Sequence, residues 1–122
     1  MTVIIPIHTV SELNVREHHM ARYRRRKGQR QAAYALVRSR LPSCFEPDWP
    51  MVVTLTRIAP RRLDAHDGLP ASLKAVVDGI ADALGIDDGS ASVAWVYAQR
   101  QGAAKEYAVE VTIEQAREVD RG

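Results

Sequence analysis

The sequence contains a single cysteine, Cys44, among its 122 residues. One cysteine can form neither a disulfide within the chain nor the cysteine cluster of a zinc site, so we expect a reducing, cytoplasmic setting. The chain also lacks any run of about 20 apolar residues, the length that a membrane helix needs, and we expect no membrane partner. Its N-terminus, MTVIIPIHTVSELN, lacks the basic start and long apolar run of a signal peptide.

The chain also contains no internal repeat, no low-complexity tract and no linker long enough to separate domains. A length of 122 residues suits a single domain, 1–122, and 46% hydrophobic residues are enough to build its core. The charges are segregated: residues 1–60 hold 10 Lys and Arg against 4 Asp and Glu, whereas residues 61–122 hold 7 against 11. A basic half suggests a polyanionic partner and an acidic half suggests a cation site, although either could be ordinary solvated surface.

Hydrophobic periodicity predicts four strands and two helices in the order β-α-β-α-β-β. The strands are expected at 3–7, 51–59, 92–98 and 106–113, and the helices at 15–41 and 70–84. Within the first helix, the polar stretch 22–30 contains Gly28, and we interpret its first part as a loop or a mobile arm. The pattern predicts a small α/β domain, α+β-like, with a mixed sheet and both helices on one face.

Three finer features of these elements can also be predicted. Gly85 follows the second helix where a left-handed stop belongs, and Ile86 can pack back onto the last turn. The strand 92–98 is apolar on both faces, which is typical of a central strand. Pro6 cannot donate to a ladder, so we expect the first strand to lie at an edge or to end there. The apolar face expected on the first helix comprises Tyr23, Ala33, Leu36, Val37 and Leu41.

Two aspartates, Asp64 and Asp67, follow the second predicted strand, and Lys74 lies in the helix after them. Loops at strand ends often carry sites, and hard cations such as Mg²⁺ bind carboxylate oxygens. Such an ion can activate water for phosphodiester cleavage, and a lysine can add fixed positive charge near the phosphate. Each residue also has an ordinary structural role: Asp67 as a helix cap, Asp64 as a loop residue and Lys74 as the i+4 partner of Asp78.

Further titratable residues are weaker candidates. Asp87 and Asp88 form a second acidic pair that could bind a cation or simply make the turn before a strand. His66 could act as a ligand or a proton carrier. His18 and His19, at the head of the basic helix, could contact phosphate.

The cations at 22–30 are the clearest polyanion-binding feature, because arginine binds phosphate through a rigid fork of donors. Tyr23 and Tyr34 punctuate this run without forming the regular aromatic platform on which single strands stack.

Taken together, these residues resemble the RusA-type Holliday junction resolvases, especially the small phage and prophage members. The segment IPIHTVSELNVREHHMARYRRRKGQR resembles their opening strand, asparagine-bearing loop and basic helix. LTRIAPRRLDAHDGLPASLKAVVDGIADALGIDDGS resembles the family core, with an acidic pair after a strand, a lysine, a D-G-I-A-D-A-L-G helix and a terminal D-D. VAWVYAQRQGAAKEYAVEVTI resembles the closing hairpin.

The resemblance implies a RusA-like homodimer that cuts four-way DNA junctions with Mg²⁺ or Mn²⁺, using aspartates as metal ligands and a lysine near the scissile phosphate. Asp67 matches the second acid of the pair and Lys74 matches the lysine. Asp88 matches the distal acid, with Asp87 beside it. The implied catalytic residues are therefore Asp67, Lys74 and Asp88, and the implied metal ligands are Asp64, Asp67, Asp87 and Asp88.

The acidic pair departs from the family pattern. The usual spacing is Asp-x-Asp followed by Asn, whereas here Ala65 occupies the place of the first acid and Gly68 that of the asparagine. Either Asp64 reaches in from one residue further away, His66 substitutes for it, or the metal site is damaged.

Helix length adds a constraint on this site. The predicted helix 70–84 spans roughly 22 Å, so Asp67 and Asp88 lie near its opposite ends. Either the segment after Gly85 folds back, or Asp88 comes from a second subunit. We favour the second arrangement, because a two-fold dimer would present two sites to a symmetric junction.

We therefore expect a metal-dependent, structure-selective endonuclease that resolves four-way junctions. One alternative is a non-catalytic protein of the same fold that binds branched or double-stranded DNA and has a degenerate metal site. Another is a protein-interaction module whose basic patch meets an acidic protein. The residues expected to contact the DNA backbone are Arg16, Arg22, Arg24, Arg25, Arg26, Lys27 and Arg30.

Overall fold

The computed structural model describes residues 1–10, 17–43, 45, 50–87, 89 and 92–115. These ranges form four strands and two helices in the predicted order β-α-β-α-β-β. The fold is α+β with a mixed sheet, and the predicted fold class is confirmed. The elements are β1 (Thr2–Ile5), α1 (His19–Arg40), β2 (Met51–Ala59), α2 (Gly68–Leu84), β3 (Val93–Gln101) and β4 (Ala108–Gln115).

The strands form one sheet in the order β1-β4-β2-β3. β4 is antiparallel to both of its neighbours, β1 and β2, whereas β3 is parallel to β2. Parallel strands cannot be joined by a tight turn, and α2 provides the crossover between β2 and β3. β1 lies at one edge, which confirms the position predicted from Pro6.

Two expectations about the last strands are wrong. β3 is an edge strand and not a central one, because among the described strands it pairs only with β2. Its side chains Val96 and Tyr97 are 43% and 36% exposed, so its apolar composition does not reflect burial on both faces. β3 and β4 also form no hairpin, since β4 lies on the far side of β2. That central position buries Val109 and Val111 completely.

The core lies between the sheet and the two helices, which share one face of it. Alternate residues of β2, such as Val53 and Leu55, enter this core together with Ala33 and Val37 of α1. Each fully buried side chain of this size stabilises the fold by roughly 1.5–3 kcal/mol relative to an exposed one. The predicted apolar positions of α2 are all buried: Leu73, Val76, Val77, Ile80, Ala81 and Leu84.

α1 runs without interruption from His19 to Arg40, so the loop or mobile arm expected within 22–30 is wrong. Gly28 costs the helix about 1 kcal/mol relative to alanine. Burial of Ala33 and Val37 against the sheet and α2 offsets this cost. The arginines, Lys27 and Gln29 of this segment are also good helix formers, so propensity and tertiary packing both favour the helix.

Local hydrogen bonds define the start of α1 and the end of α2. At the start of α1, Nδ1 of His18 accepts a hydrogen bond from the backbone N–H of Met20 at 3.1 Å. At the end of α2, Gly85 has the left-handed conformation, with φ of 72°. The backbone N–H of Ile86 donates to the carbonyl of Ala81 at 3.0 Å. The stop predicted at Gly85 is confirmed.

Candidate nucleic-acid interface and acidic loop

A positively charged groove lies between α1 and α2, with a volume of about 570 Å³. We call it the basic groove. α2 contributes Lys74, beside Ala71, Ala75 and Asp78. The residues that α1 contributes are His19, Arg22, Tyr23, Arg26, Lys27 and Arg30. The groove thus brings Lys74 next to cations that precede it by more than 40 positions in the sequence.

The structure distributes the predicted DNA-binding residues unevenly. Arg22, Arg26, Lys27 and Arg30 line the groove. Arg24 is exposed on α1 but does not line it. Arg16 lies outside the described residues.

Acidic side chains hold some of the arginines of α1 in place. Nη2 of Arg25 donates to Oε1 of Glu17, and Nε of Arg22 lies 3.7 Å from the same oxygen. Arg25 is directed to Glu17 and does not line the groove.

Arg30 is fixed more firmly by Asp82 of α2. Its Nε and Nη2 atoms donate to the two carboxylate oxygens at 2.7 and 3.0 Å. This bidentate pair joins the two helices at the side of the groove. The hydrogen bond from Arg30 lowers the pKa of Asp82, while partial burial opposes the shift.

Lys74 projects from the exposed side of α2. Its Nζ atom donates to Oδ1 of Asp78 at 2.8 Å, and its side chain is 62% exposed. Lys74 therefore forms the i+4 surface pair with Asp78 that was expected as its ordinary structural role. The same lysine and Asp78 also line the basic groove, so this ion pair lies at its surface.

The acidic loop, residues 60–67, connects β2 to α2 and carries both predicted acids. Asp64 closes a local turn, because its Oδ1 accepts a hydrogen bond from the backbone N–H of His66 at 2.8 Å. Asp67 occupies the N-cap position of α2, but its side chain makes no capping hydrogen bond. Both carboxylates are exposed. The cap role expected for Asp67 is thus fulfilled in position only, and its carboxylate is not used by the helix.

Gln99 of β3 holds this loop in place. Its Oε1 accepts from the backbone N–H of Leu63 at 2.9 Å, and its Nε2 donates to the carbonyl of the same residue at 2.8 Å. The amide side chain thereby replaces one backbone step of a strand ladder. Gln101 adds a bond from Nε2 to the carbonyl of Pro60 at 3.2 Å. Neither glutamine could be predicted as a contact of this loop, because nothing in the sequence pattern points to its backbone partner.

The second acidic pair lies at the other end of α2. Oδ1 of Asp87 accepts a hydrogen bond from the backbone N–H of Gly89 at 3.1 Å. Asp87 therefore makes the turn before β3 that was expected as the alternative to cation binding. Asp88 lies outside the described residues. α2 is about 25 Å long, so one chain does not bring Asp87 to the acidic loop.

These placements bear on the divalent cation that the resemblance implies. Exposed carboxylates such as those of Asp64 and Asp67 are the oxygen donors that Mg²⁺ and Mn²⁺ accept. Within the described ranges, however, no group of three or more His, Cys, Asp or Glu side chains comes together in a metal-binding arrangement. The donor chemistry fits a hard cation, and completing the site requires donors from elsewhere.

Arg57 is another residue whose role the sequence pattern does not reveal. This arginine is only 6% exposed, and its Nε donates to Oγ1 of Thr9 at 2.9 Å. Its Nη1 donates to the carbonyl of Arg61 at 2.7 Å. Burial lowers the pKa of Arg57, and the nearby Tyr107 opposes the shift. The buried guanidinium joins the segment after β1 to the start of the acidic loop.

The chain matches no protein-family model, and no curated protein is similar enough to count as a match. Membership of the RusA-type family therefore stays a prediction from the residues. Neither α1 nor α2, the helices of the described ranges, combines the length and hydropathy that crossing a lipid bilayer requires.

Proposed function

We propose that the protein is a metal-dependent endonuclease that cuts branched DNA, with four-way junctions as its substrate. The observation that carries this proposal is the basic groove, in which Lys74 lies beside four cations of α1. A groove of this charge attracts a polyanion. The exposed acids of the loop before α2 supply the donor type that phosphodiester hydrolysis requires.

The cations of α1 bind the sugar–phosphate backbone. Arginine donors contact phosphate oxygens and release counterions, so affinity falls steeply with salt. Such contacts carry little sequence information, and recognition depends on the shape of the DNA. Lys74 adds fixed positive charge next to the phosphate that is cut, and Asp78 keeps its ammonium group oriented.

Asp67 and Asp64 would hold the Mg²⁺ or Mn²⁺ ion, together with Asp87 and Asp88 of a second subunit. When bound, the ion activates water and neutralises developing charge. The length of α2, which separates the two acidic pairs in one chain, supports the contribution from a second copy. A two-fold homodimer in the cytoplasm would present two such sites to the symmetric arms of a junction.

The test is cleavage of a synthetic four-way junction and of linear duplex with Mg²⁺ or Mn²⁺. Asp67→Asn removes a ligand charge at a position where no capping hydrogen bond is lost. Glu114→Gln is the matched control, because Glu114 is an exposed residue of β4 outside the groove. Symmetric nicks by the wild type and by Glu114→Gln, absent in Asp67→Asn, would support the proposal. Equal cleavage by both variants would contradict the role of Asp67.

A second candidate function is non-catalytic binding of branched or double-stranded DNA. It is favoured by Ala65 and Gly68, which replace two positions of the family pattern. This protein would bind the junction with strong salt dependence yet leave it intact with either ion. Cleavage by the wild type that Asp67→Asn abolishes would exclude this candidate.

A further inference from the structure

We propose that the exposed row Tyr23, Lys27, Arg30 and Tyr34 on α1 binds unpaired nucleotides. The two tyrosine rings stack on bases, and the two cations between them contact the intervening phosphates. This inference rests on the DNA-binding part of the proposed function and adds a preference for unpaired over fully paired DNA.

Both tyrosine rings are accessible to a ligand. Tyr23 and Tyr34 are 57% and 43% exposed, so the expectation that Tyr23 belongs to the apolar face of α1 is wrong. The other two tyrosines are engaged differently: Tyr107 stacks on His8 with ring centroids 3.6 Å apart, and Tyr97 lies on the edge strand β3. The most basic element of the chain therefore carries two aromatic side chains that contribute little of their area to the core.

The two tyrosines lie on the same side of the helix. They are eleven residues apart, which is about three turns and a rise of about 16 Å. Lys27 follows Tyr23 by four residues and Arg30 precedes Tyr34 by four, so the four side chains form one row along the surface. The rise corresponds to about five nucleotide steps of a stacked strand at 3.4 Å each.

Each tyrosine lines its own hollow, and the same two cations line both. Tyr23 belongs to the basic groove, of about 570 Å³. Tyr34 lines a second hollow of about 410 Å³ with Gln31 and Asp82. Lys27 and Arg30 form the ridge between the two hollows.

The two cations are held in place without a ligand. The ammonium of Lys27 lies 5.9 Å from the centre of the Tyr23 ring, at the limit of a cation–π contact. The guanidinium of Arg30 is fixed by both oxygens of Asp82. Asp78 and Asp82 reduce the positive charge of the two hollows, but the cations lining them outnumber these acids.

A row with a ring at each end and two cations between them matches the chemistry of a single strand, which offers both base faces and phosphates. Paired DNA offers phosphates but keeps its base faces stacked inside the helix. An acidic peptide offers charge but has no repeating flat surface. The arrangement therefore favours unpaired nucleotides, such as those at a branch point, over either alternative.

The test measures binding in EDTA, so that no metal-dependent cleavage can occur. The probes are an oligothymidylate of about 12 nucleotides, within the known range of single-strand site sizes, a perfectly paired duplex and poly-glutamate. Tyr23→Leu and Tyr34→Leu remove a ring from an exposed helix position, and Tyr23→Phe and Tyr34→Phe retain it. Tyr97→Leu is the control for removing an exposed tyrosine elsewhere. A 2-aminopurine base in the oligonucleotide reports stacking through quenching of its fluorescence.

Each leucine variant on α1 should bind the oligothymidylate at least about 5-fold more weakly, which corresponds to the low end of base–aromatic stacking. Duplex binding should change less than about 2-fold, and the phenylalanine variants and Tyr97→Leu should match the wild type. Quenching should occur with the wild type and diminish in both leucine variants.

Unchanged oligothymidylate binding by the leucine variants, with duplex binding intact, would overturn this inference alone and leave the proposed function standing. If the wild type binds neither these two nucleic acids nor the four-way junction, both the inference and the proposed function are overturned. If the wild type binds poly-glutamate as tightly as the oligothymidylate, charge alone accounts for binding, as expected of a surface for acidic proteins. This result would likewise overturn the inference.

Discussion

Gly79 of α2 lies against the backbone carbonyl of Arg30 in α1 with no room for a side chain between them. A Cβ atom at position 79 would overlap the Arg30 carbonyl oxygen and would lie only 2.9 Å from Cβ of Ala33. Glycine permits this close approach of the two helix backbones because it has no Cβ atom. Because Arg30 also lines the basic groove, the contact sets the separation of α1 and α2 where the groove is formed.

Gly79→Ala is expected to lower the free energy of unfolding by about 1–3 kcal/mol, the usual cost of overpacking. The clash is with backbone, which cannot rotate away as a flexible side chain can. Urea denaturation measures the change. Gly28→Ala is the matched control, because a Cβ there meets nothing within 4 Å. Gly28→Ala should raise the free energy of unfolding by roughly 0.5–1 kcal/mol. A change of the same sign in both variants would contradict the packing argument.

Gln99→Leu is expected to loosen the acidic loop. The substitution leaves the N–H and C=O of Leu63 without their side-chain partner. An unsatisfied partly buried group costs about 1–3 kcal/mol. Amide hydrogen exchange should accelerate in residues 63–67 while the core of α2 stays protected.

Gln101→Leu is the control for Gln99→Leu, since it removes only one exposed bond, to Pro60 at 3.2 Å. If the proposed function holds, cleavage should fall further in Gln99→Leu than in this control. Equal exchange rates in the two variants would show that Gln99 does not hold the loop.

Lys74→Met separates the two roles of this lysine. As an exposed i+4 pair with Asp78, it should contribute no more than about 0.5 kcal/mol to stability. As a phosphate contact, its loss should weaken DNA binding across sequences and reduce the salt slope by about 1. Asp78→Asn breaks the same pair but keeps the cation, so it should bind DNA at least as tightly as the wild type. Unchanged binding and salt slope in Lys74→Met would assign the lysine to the surface pair alone.

α2 could be predicted almost completely, because its apolar residues recur at helical spacing and Gly85 ends it by a local rule. The edge position of β3 could not be predicted from the sequence. A pattern of apolar residues reports composition, whereas strand order depends on which long-range pairing buries most area. β4 lies between β1 and β2, where Val109 and Val111 are completely buried.

Part of the candidate site could also be predicted from the sequence, and part of it could not. Asp64, Asp67 and Lys74 are visible as residue types next to a strand end. The basic groove cannot be seen in the sequence. Lys74 and Arg30 line the same groove only because two helices far apart in sequence pack together. Gln99 and Arg57 bind backbone carbonyls, and any residue can supply those, so no sequence pattern identifies the pairing.

Arg57→Met should lower the free energy of unfolding by roughly 1.5–3 kcal/mol, the usual value of a hydrogen bond to a charged group. It keeps an unbranched side chain of similar length while removing the donors to Thr9 and Arg61. Arg62→Met is the matched control, because the exposed Arg62 reaches the Gln99 carbonyl only at 3.5 Å. Thermal or urea unfolding compares the two, and an equal loss in both would show that the buried guanidinium is not needed.

Asp82 provides a prediction about pH. Its folded-state pKa lies below the ordinary value of 3.8 because Arg30 donates to it. The stabilisation is therefore complete above pH 3.8 and is lost as pH falls through the lower folded-state pKa. Because the pair is largely exposed, Asp82→Asn should cost only about 0.2–1 kcal/mol near neutral pH. This difference from the wild type should shrink in acid. In an Arg30→Met background, the substitution should change the free energy of unfolding little at either pH. A pH-independent cost that survives in that background would show that the carboxylate stabilises the fold through something other than Arg30.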